Sequence, residues 1–469
     1  MNTSIASSER NKKRTDSLFF VVASASTGTV IEFYDLILAL ILAPVLSRNL
    51  FPPSEARFLE TLAIIVTSYF VRPVGALIFG SIGDAIGRKK PFLVSLLMMG
   101  SATFFIGCIP SFSTIGWLAP AMLLLCRVLQ GLAISGEYTG AAIYVAEHAP
   151  DHKRGFYTGF IQATIPISFL ICLGVLFFTQ RSMTTEAFET YGWRLPFLFS
   201  AALVILSYLI RRKLNETPKY ALLKAKGKSS KMPVKESFQQ RKNIRKILLA
   251  IFGACAAQST LMQTTHFVML FFLQRVVFLS MDTTLLIIGA ATLLGCPLFQ
   301  LFGALSDRIG RKAVILSGLI LSAVLVPVVF YFILKVGNPD GLHEVHSIGN
   351  IVIVKMVLIV LSLHVCCAMV YGPLGAFLTE LFPARIRFTS MGFAYNIGNG
   401  VLGGSTTFIT EALRNLVFLS TALSPFTGLI YPLILIFVAI FINGFFIPET
   451  RKSSRESELK TLRRKHFFK

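Results

Sequence analysis

Apolar residues collect into long runs along this chain, and short polar or charged stretches separate them. A helix needs about 20 apolar residues to cross the hydrocarbon core of a bilayer. We count about twelve runs of that kind and interpret each as a membrane-spanning helix, which predicts an all-α membrane protein. The predicted spans are 18–46, 61–83, 91–109, 117–146, 156–178, 195–210, 247–279, 283–305, 313–334, 351–379, 388–413 and 425–447.

The chain repeats itself at about half its length. The phrase "GSIGDAIGRKK" at 80–90 returns as "GALSDRIGRKA" at 303–313, a shift of 223 residues. A second register of 233 residues superposes Tyr138, Glu147, Pro150 and Arg154 on Tyr371, Glu380, Pro383 and Arg387. Internal repeats at this scale indicate duplicated halves. We predict two six-helix bundles, 18–210 and 247–447, with the same orientation in the membrane.

Composition and charge agree with a membrane protein and set its expected orientation. Of 469 residues, 54% are hydrophobic and 14% are charged, and the formal net charge is +22. Roughly 35 of the 45 Lys and Arg residues fall in the tails and the even-numbered loops, which is the positive-inside bias. We therefore expect both tails, 1–17 and 448–469, and the basic linker 211–246 to be cytoplasmic. The linker is interpreted as a topology signal between the halves, with contact to anionic lipid as the alternative, and not as a nucleic-acid site.

Several motifs resemble those of one transporter family. They include "GTVIEFYD", "VRPVGALIFGSIGDAIGRKK", "GEYTGAAIYVAEHAPDHKRGF", "GWRLPF", "NETPKY" and "GPLGAFLTELFPARIRFTSMGFAYNIGNGVLGG". The chain resembles the metabolite:proton symporters of the major facilitator superfamily, from about Gly28 to Arg451. The resemblance implies twelve helices in two bundles, alternating access, and location in a bacterial inner membrane. We expect a protein that functions as a monomer and carries a small molecule with a proton.

The repeated phrase predicts gating residues. Asp84 and Arg88, like Asp307 and Arg311, are four residues apart and can pair with each other or with a neighbouring helix end. By resemblance, they hold the cytoplasmic side closed and separate as the halves rock.

Charged residues inside the spans are costly and are therefore candidates for function. Glu32 and Asp35 share a face of the first span, and Arg72 and Arg127 are expected at a similar depth. Two carboxylates beside two guanidinium groups can bind and release a proton. We assign Glu32, Asp35, Arg127 and Glu137 to proton coupling, with a purely structural buried network as the alternative.

Polar residues of the central spans are candidate substrate contacts. We select Arg72, Gln162, Gln263, Asn396, Asn399 and Tyr371. Such groups also form hydrogen bonds between membrane helices. His266 and His364 are further candidates for carrying protons, or packing residues.

Two buried cations face two carboxylates, and the transported proton neutralises one of these carboxylates. About one positive charge then remains in the cavity, so we predict a substrate that bears a carboxylate. A zwitterion such as proline or betaine is slightly favoured, with its ammonium group near Phe33, Tyr34 or Tyr371. An organic acid of the α-ketoglutarate, citrate or shikimate type, held by Arg72 and Arg127 together, is the alternative.

Other function classes receive little support. The chain shows neither nucleophile-elbow nor zinc-ligand spacing, so we expect no enzyme activity, no metal and no cofactor. All seven Cys residues fall within predicted spans and are interpreted as packing residues. An uncoupled carrier, an antiporter or a nutrient sensor on the same fold stays open.

Overall fold

The computed structural model describes residues 18–87, 89–211, 230, 232–416 and 424–451. These residues form helices joined by short connections, and twelve helical segments run along the bundle. They are α1 (Leu18–Ile41), α2 (Arg57–Ile86), α3 (Lys89–Cys108), α4 (Leu118–His148), α5 (Arg154–Arg181), α6 (Arg194–Arg211), α7 (Arg241–Arg275), α8 (Met281–Ile309), α9 (Arg311–Gly337), α10 (Asn350–Leu381), α11 (387–416) and α12 (Ile430–Phe446).

Length and apolar character qualify most of these helices as membrane spans. Within the described ranges, nine helices are long and apolar enough to cross a bilayer. A tenth forms when Thr185–Gly192 and Arg194–Leu209 are taken together, across a bend of 56°, and Leu93–Cys108 is a shorter apolar helix. Large apolar side chains such as Phe70, Leu125 and Phe437 face outward, as lipid contact requires. The prediction of an all-α membrane protein is confirmed.

The two halves meet along two pairs of helices. α5 packs against α8, and α2 packs against α11, so each pair joins one helix of the first half to one of the second. α1 and α4 pack inside the first half against α5 and α2, and α7 and α10 occupy the matching places in the second half. The faces of these eight helices that turn inward contain many of the buried polar residues, including Arg72, Arg127 and Asn399.

Some helix boundaries differ from the predictions. α7 begins at Arg241 and ends at Arg275, whereas the apolar run predicted 247–279. Its basic first two turns extend beyond the apolar run, and π-helical turns interrupt it at Ile251–Cys255 and Thr264–Val268. α10 breaks after Tyr371 and resumes at Leu374, because Pro373 cannot donate a backbone hydrogen bond.

Part of the basic linker 211–246 is described, and it continues the bundle. Pro233–Gln239 forms a short helix before α7, and the Asn243 side chain donates to the Ser237 carbonyl at 2.6 Å and to the Ser390 hydroxyl at 3.0 Å.

Some segments for which the sequence makes predictions lie outside the described residues. They are residues 1–17, position 88, residues 212–229 and 231, and residues 452–469. The predictions made for those segments, including the gating role of Arg88, stay predictions.

Candidate functional site

A buried arginine with free donors lies between the halves. Arg72 of α2 is 2% exposed, and its Nη1 donates to Oδ1 of Asn399 of α11 at 3.3 Å. Its Nε and Nη2 have no hydrogen-bond partner within the described ranges. Guanidinium donors match the geometry of a carboxylate, which can accept two parallel hydrogen bonds. Arg72 therefore offers a place for an anionic group.

Tyrosines surround this arginine. The guanidinium of Arg72 lies over the Tyr69 ring, 4.4 Å from its centroid, and Tyr371 and Tyr395 are close enough to interact with it electrostatically. The Tyr395 ring stacks on Tyr138 of α4 with centroids 3.9 Å apart. Tyr371 was predicted to contact substrate, whereas Tyr69 and Tyr395 were not singled out, because a tyrosine in an apolar span is most often a packing residue.

Amide side chains complete the site on the second half. Asn399 donates to Gln258 of α7 at 2.9 Å, and the Gln258 amide nitrogen is buried without a partner of its own. Gln263 donates to the Tyr69 hydroxyl at 3.1 Å, across the two halves. The predicted contacts Arg72, Asn399, Gln263 and Tyr371 thus lie in one region. Gln258 adds a free donor to it.

Gln162 and Asn396 lie in the same central layer but are occupied by protein partners. Gln162 of α5 exchanges hydrogen bonds with the Tyr138 hydroxyl at 2.6 and 3.0 Å. Asn396 of α11 donates to the carbonyls of Gly392 and, in the other half, Ser135. Their predicted role in substrate binding stays a prediction.

Arg127 is bound to protein partners on every nitrogen. Its Nε and Nη2 donate to the Ile65 carbonyl at 3.2 and 3.1 Å, Nη2 also donates to Ser68, and Nη1 donates to Gln130 at 2.7 Å. Two guanidinium groups holding one organic acid, as the sequence suggested, are therefore not available in this structure. Of the two arginines, Arg72 alone has nitrogens without a hydrogen-bond partner within the described ranges.

Glu32 and Asp35 are buried carboxyl groups without hydrogen bonds. Both are at most 1% exposed, and none of their four oxygens has a partner within the described ranges. Among the described residues, no ion pair joins either carboxyl group to Arg72 or Arg127, which were predicted to lie at a similar depth. Burial of an unpaired carboxyl group penalises its charged form.

A chain of hydrogen bonds nevertheless leads from Arg127 toward Asp35. Gln130 accepts from Arg127 and donates to the Thr103 hydroxyl at 2.7 Å. The Thr103 hydroxyl of α3 donates to the Met99 carbonyl at 3.1 Å and lies beside the Asp35 carboxyl group. Glu137, also assigned to coupling, lies about two turns beyond Gln130 toward the C-terminal end of α4. It is fully buried and accepts a hydrogen bond from Ser95 at 3.5 Å.

The repeated phrase joins the halves at one end of the bundle, which we call the basic end and define by the α2–α3, α4–α5, α8–α9 and α10–α11 connections. Asp84 accepts from the backbone nitrogen and the hydroxyl of Thr389, in the first turn of α11, both at 2.9 Å. Asp307 accepts from the backbone nitrogens of Gly155 and Phe156, in the first turn of α5, both at 2.9 Å. Each aspartate thus caps a helix of the other half, where unpaired N–H groups and the helix dipole favour a negative charge.

Ion pairs reinforce this end in a crossed arrangement. Glu147 of the first half binds Arg387 of the second at 2.9 Å, and Glu380 of the second half binds Arg154 of the first at 3.2 Å. Arg311 pairs with Asp307 at 2.6 Å, as the spacing suggested, and with Glu380 at 3.1 Å. The 233-residue register aligns Glu147 with Glu380 and Arg154 with Arg387, so the repeat already indicates that the same Glu and Arg positions occur in both halves.

Contacts between the halves also cover the site from the opposite end. Phe58 of α2 packs edge-on against Phe271 of α7 with centroids 5.3 Å apart. Arg275 lies over the same Phe58 ring, 3.8 Å from its centroid. Contacts between the halves are therefore present at both ends of the bundle, and Arg72 between them is 2% exposed.

Comparison with known proteins identifies the family. Residues 21–458 match the family model described as sugar (and other) transporter. The chain belongs to this family. It is 32% identical to the inner membrane metabolite transport protein YhjE of Escherichia coli strain K12 over 82% of this chain and 85% of that protein.

Two further relatives have named substrates. The chain is 28% identical to the α-ketoglutarate permease of E. coli strain K12, over 88% of this chain and 92% of the permease. It is 31% identical to the proline/betaine transporter of Salmonella typhimurium strain LT2, over 92% of this chain and 83% of that transporter. This family member is therefore a multi-pass transporter of metabolites, and not an enzyme.

A solved structure confirms the fold. The proton:xylose symporter XylE, a major facilitator superfamily protein, superposes with a TM-score of 0.68 over 92% of this chain and 96% of XylE, at 18% identity. The expected major facilitator fold is thus confirmed.

Proposed function

We propose that this transporter carries a small metabolite bearing one carboxylate, together with a proton, into the cell. The observation on which the proposal rests is Arg72, a buried guanidinium with two unpaired nitrogens at the contact between the halves. Unpaired buried donors are costly in the protein alone and gain most from a carboxylate ligand. A site that binds substrate between two halves is reached from either side as the halves rock.

A zwitterion fits this site better than a dicarboxylate. Arg72 provides one set of free donors, and the nitrogens of Arg127 are already bonded. The rings of Tyr69, Tyr371 and Tyr395 near Arg72 can face an ammonium group or an apolar ring. Proline or betaine, the named substrates of one relative, have this chemistry. A monocarboxylic organic acid is the second candidate, since a relative is the shikimate transporter of E. coli strain K12.

Glu32 and Asp35 are the proposed proton carriers. Both are buried without partners, so each is stable in its uncharged form and ionises when its surroundings become hydrated. The Arg127–Gln130–Thr103 chain runs from the Ile65 carbonyl of α2, two turns from Arg72, to the hydroxyl group beside Asp35. Movement of α2 on substrate binding can thus reach the carboxyl group.

Orientation follows from charge. We place the basic end and both termini in the cytoplasm, as the positive-inside bias favours. The Asp84 and Asp307 caps and the crossed ion pairs then form the cytoplasmic gate, and the Phe58–Arg275 contact belongs to the outer gate.

Coupling is tested with Glu32→Gln and Asp35→Asn in proteoliposomes. At least one variant is expected to lose accumulation driven by a proton gradient and to keep exchange of labelled substrate across the membrane at equal pH. Glu60→Gln, in the first turn of α2 on an exposed face, serves as the control. Normal accumulation in both variants would exclude these carboxyl groups as the coupling site.

A further inference from the structure

Two buried histidines of the second half converge on one hydroxyl group. His266 of α7 and His364 of α10 are both fully buried, with ring centroids 4.9 Å apart. Their Nε2 atoms lie 3.4 and 3.0 Å from Oγ1 of Thr292 of α8. This cluster, His266, Thr292 and His364, takes no part in the site described above.

The hydrogen bonds of the cluster fix where its hydrogens lie. Nδ1 of His266 is 3.1 Å from the Met262 carbonyl, and Nδ1 of His364 is 3.2 Å from the Val360 carbonyl. A carbonyl only accepts, so both Nδ1 atoms carry the hydrogen and both Nε2 atoms are acceptors in the neutral rings. Thr292 has one hydroxyl hydrogen to offer to two acceptors. The neutral cluster therefore lacks one hydrogen.

One added proton completes the cluster. Placed on one Nε2, it gives an N–H that donates to the Thr292 oxygen while the hydroxyl hydrogen goes to the other Nε2. If both hydrogens shift by one bond, the charge passes from one imidazole to the other and no atom is gained or lost. The cluster is thus built to hold one shared proton, and not two.

The surroundings decide when that proton binds. α5 contributes the Phe169 ring, 4.9 Å from the His266 ring, and α8 contributes Thr292. The ionisable group that interacts with His266 is His364, and a charge on one ring repels a charge on the other. Cys367 of α10 lies nearby, with its sulfur 3.7 Å from the Met262 sulfur. On α11, which also packs against this part of α7, Glu411 and Arg414 pair with each other.

No carboxylate among the described residues therefore compensates a charge on the cluster. Burying an uncompensated charge costs more than one missing hydrogen bond, so the closed structure favours the neutral cluster.

We propose that His266, Thr292 and His364 form a proton-binding site that takes up one proton when the end opposite the basic end opens. Phe169 belongs to the first half, so separation of α5 from α8 at that end removes the ring that covers His266 and admits water. Hydration favours the charged form. By linkage, acid then stabilises the open arrangement, and the effect is lost as the pH rises. The site is independent of whether Glu32 and Asp35 couple transport.

The test measures opening as a function of pH in the full chain in lipid nanodiscs. Spin labels on a genetically encoded amino acid at Glu55 and Asp340, exposed on the two halves, report the separation at that end. Between pH 8 and pH 5.5, the ratio of open to closed molecules is expected to rise, by up to about tenfold per pH unit, the limit for one proton. His266→Gln/His364→Gln should remove this rise. His343→Gln/His346→Gln, which changes the histidines of the α9–α10 connection, should retain it.

Two further variants make the result decisive. His266→Gln alone leaves one imidazole whose acceptor the Thr292 hydroxyl can satisfy, so it should also lose the response if the double variant does not fold. Glu32→Gln/Asp35→Asn should keep the histidine-dependent rise, which separates this site from the proposed coupling residues. A rise of equal size in His266→Gln and in the parent, or no rise in the parent, would overturn the proposal.

Discussion

Arg72 and Arg127 are two buried arginines that differ in how many of their nitrogens already donate hydrogen bonds within the protein. Arg127 uses Nε, Nη1 and Nη2 on Ile65, Ser68 and Gln130, so it holds α4 to α2 and supports the chain toward Asp35. Arg72 has two nitrogens free and faces the other half. The residue types were identical in the sequence. The hydrogen-bond partners depend on the neighbouring helices: they occupy every nitrogen of Arg127, whereas two nitrogens of Arg72 have no partner within the described residues.

Arg72→Lys is expected to weaken substrate binding strongly. Lysine keeps the charge but loses the planar pair of donors. Hydrogen bonds to charged groups contribute about 1.5–3 kcal/mol each, so KM for uptake should rise roughly tenfold to hundredfold. The measurement is initial uptake rate against substrate concentration. The control is Arg181→Lys, a cation at the end of α5 that packs on the Phe177 ring, and it should leave KM unchanged. An unchanged KM in Arg72→Lys would remove Arg72 from the site.

At the scale of elements, close helix crossings at glycine explain much of the repeated phrase. A Cβ at Gly303 would lie 2.5 Å from the Gly155 carbonyl oxygen, and a Cβ at Gly80 would lie 3.0 Å from Cα of Thr389. Each glycine thus lets a helix of one half approach the first turn of a helix in the other, where Asp307 or Asp84 caps it. Close approach and capping act together.

Gly155→Ala is expected to destabilise the α5–α8 contact. Its Cβ would meet the Gly303 carbonyl oxygen at 2.4 Å, a backbone atom that cannot move alone. Overpacking of this kind costs about 1–3 kcal/mol, and the midpoint of thermal unfolding in detergent should fall. Gly174→Ala on the same helix meets nothing within 4 Å and should not lower it. Equal midpoints in the two variants would contradict this account of the crossing.

The sequence was sufficient to predict the helices, the duplication and the family, because each depends on patterns along the chain. It also selected Arg72, Asn399, Gln263 and Tyr371 as candidate substrate contacts, and these four lie in one region of the structure. Contacts between helices were beyond it: the Asp84 and Asp307 caps on α11 and α5, the hydrogen bonds of Arg127 to α2, and the packing of Tyr395 on Tyr138. These depend on which helix faces meet, and residue spacing does not determine that.

Tyr34 illustrates the same limit. It was proposed, with Phe33 and Tyr371, as an aromatic face for an ammonium group, but its hydroxyl donates to the Pro196 carbonyl of α6 at 2.9 Å, within the first half. Tyr371 does lie close to Arg72, together with Tyr69 of α2 and Tyr395 of α11. A helix face is assigned correctly only when the neighbouring helix is known.

At the scale of the whole molecule, contacts between the halves lie at both ends of the bundle, with the proposed anion-binding site at Arg72 between them. The basic end has two helix caps and two crossed ion pairs, and at the opposite end Phe58 contacts Phe271 and Arg275. In the proposed mechanism these contacts break in turn. A substrate carboxylate on Arg72 and a proton on Glu32 or Asp35 are the two ligands proposed to drive that exchange.

The most direct test of this claim is competitive uptake into proteoliposomes with an imposed proton gradient, acidic outside. Proline, betaine, shikimate, α-ketoglutarate, citrate and xylose are offered at equal concentration, with and without a protonophore. The account predicts that a solute with one carboxylate accumulates most, and that the protonophore abolishes accumulation. Preferred uptake of neutral xylose, or accumulation that the protonophore does not affect, would contradict it.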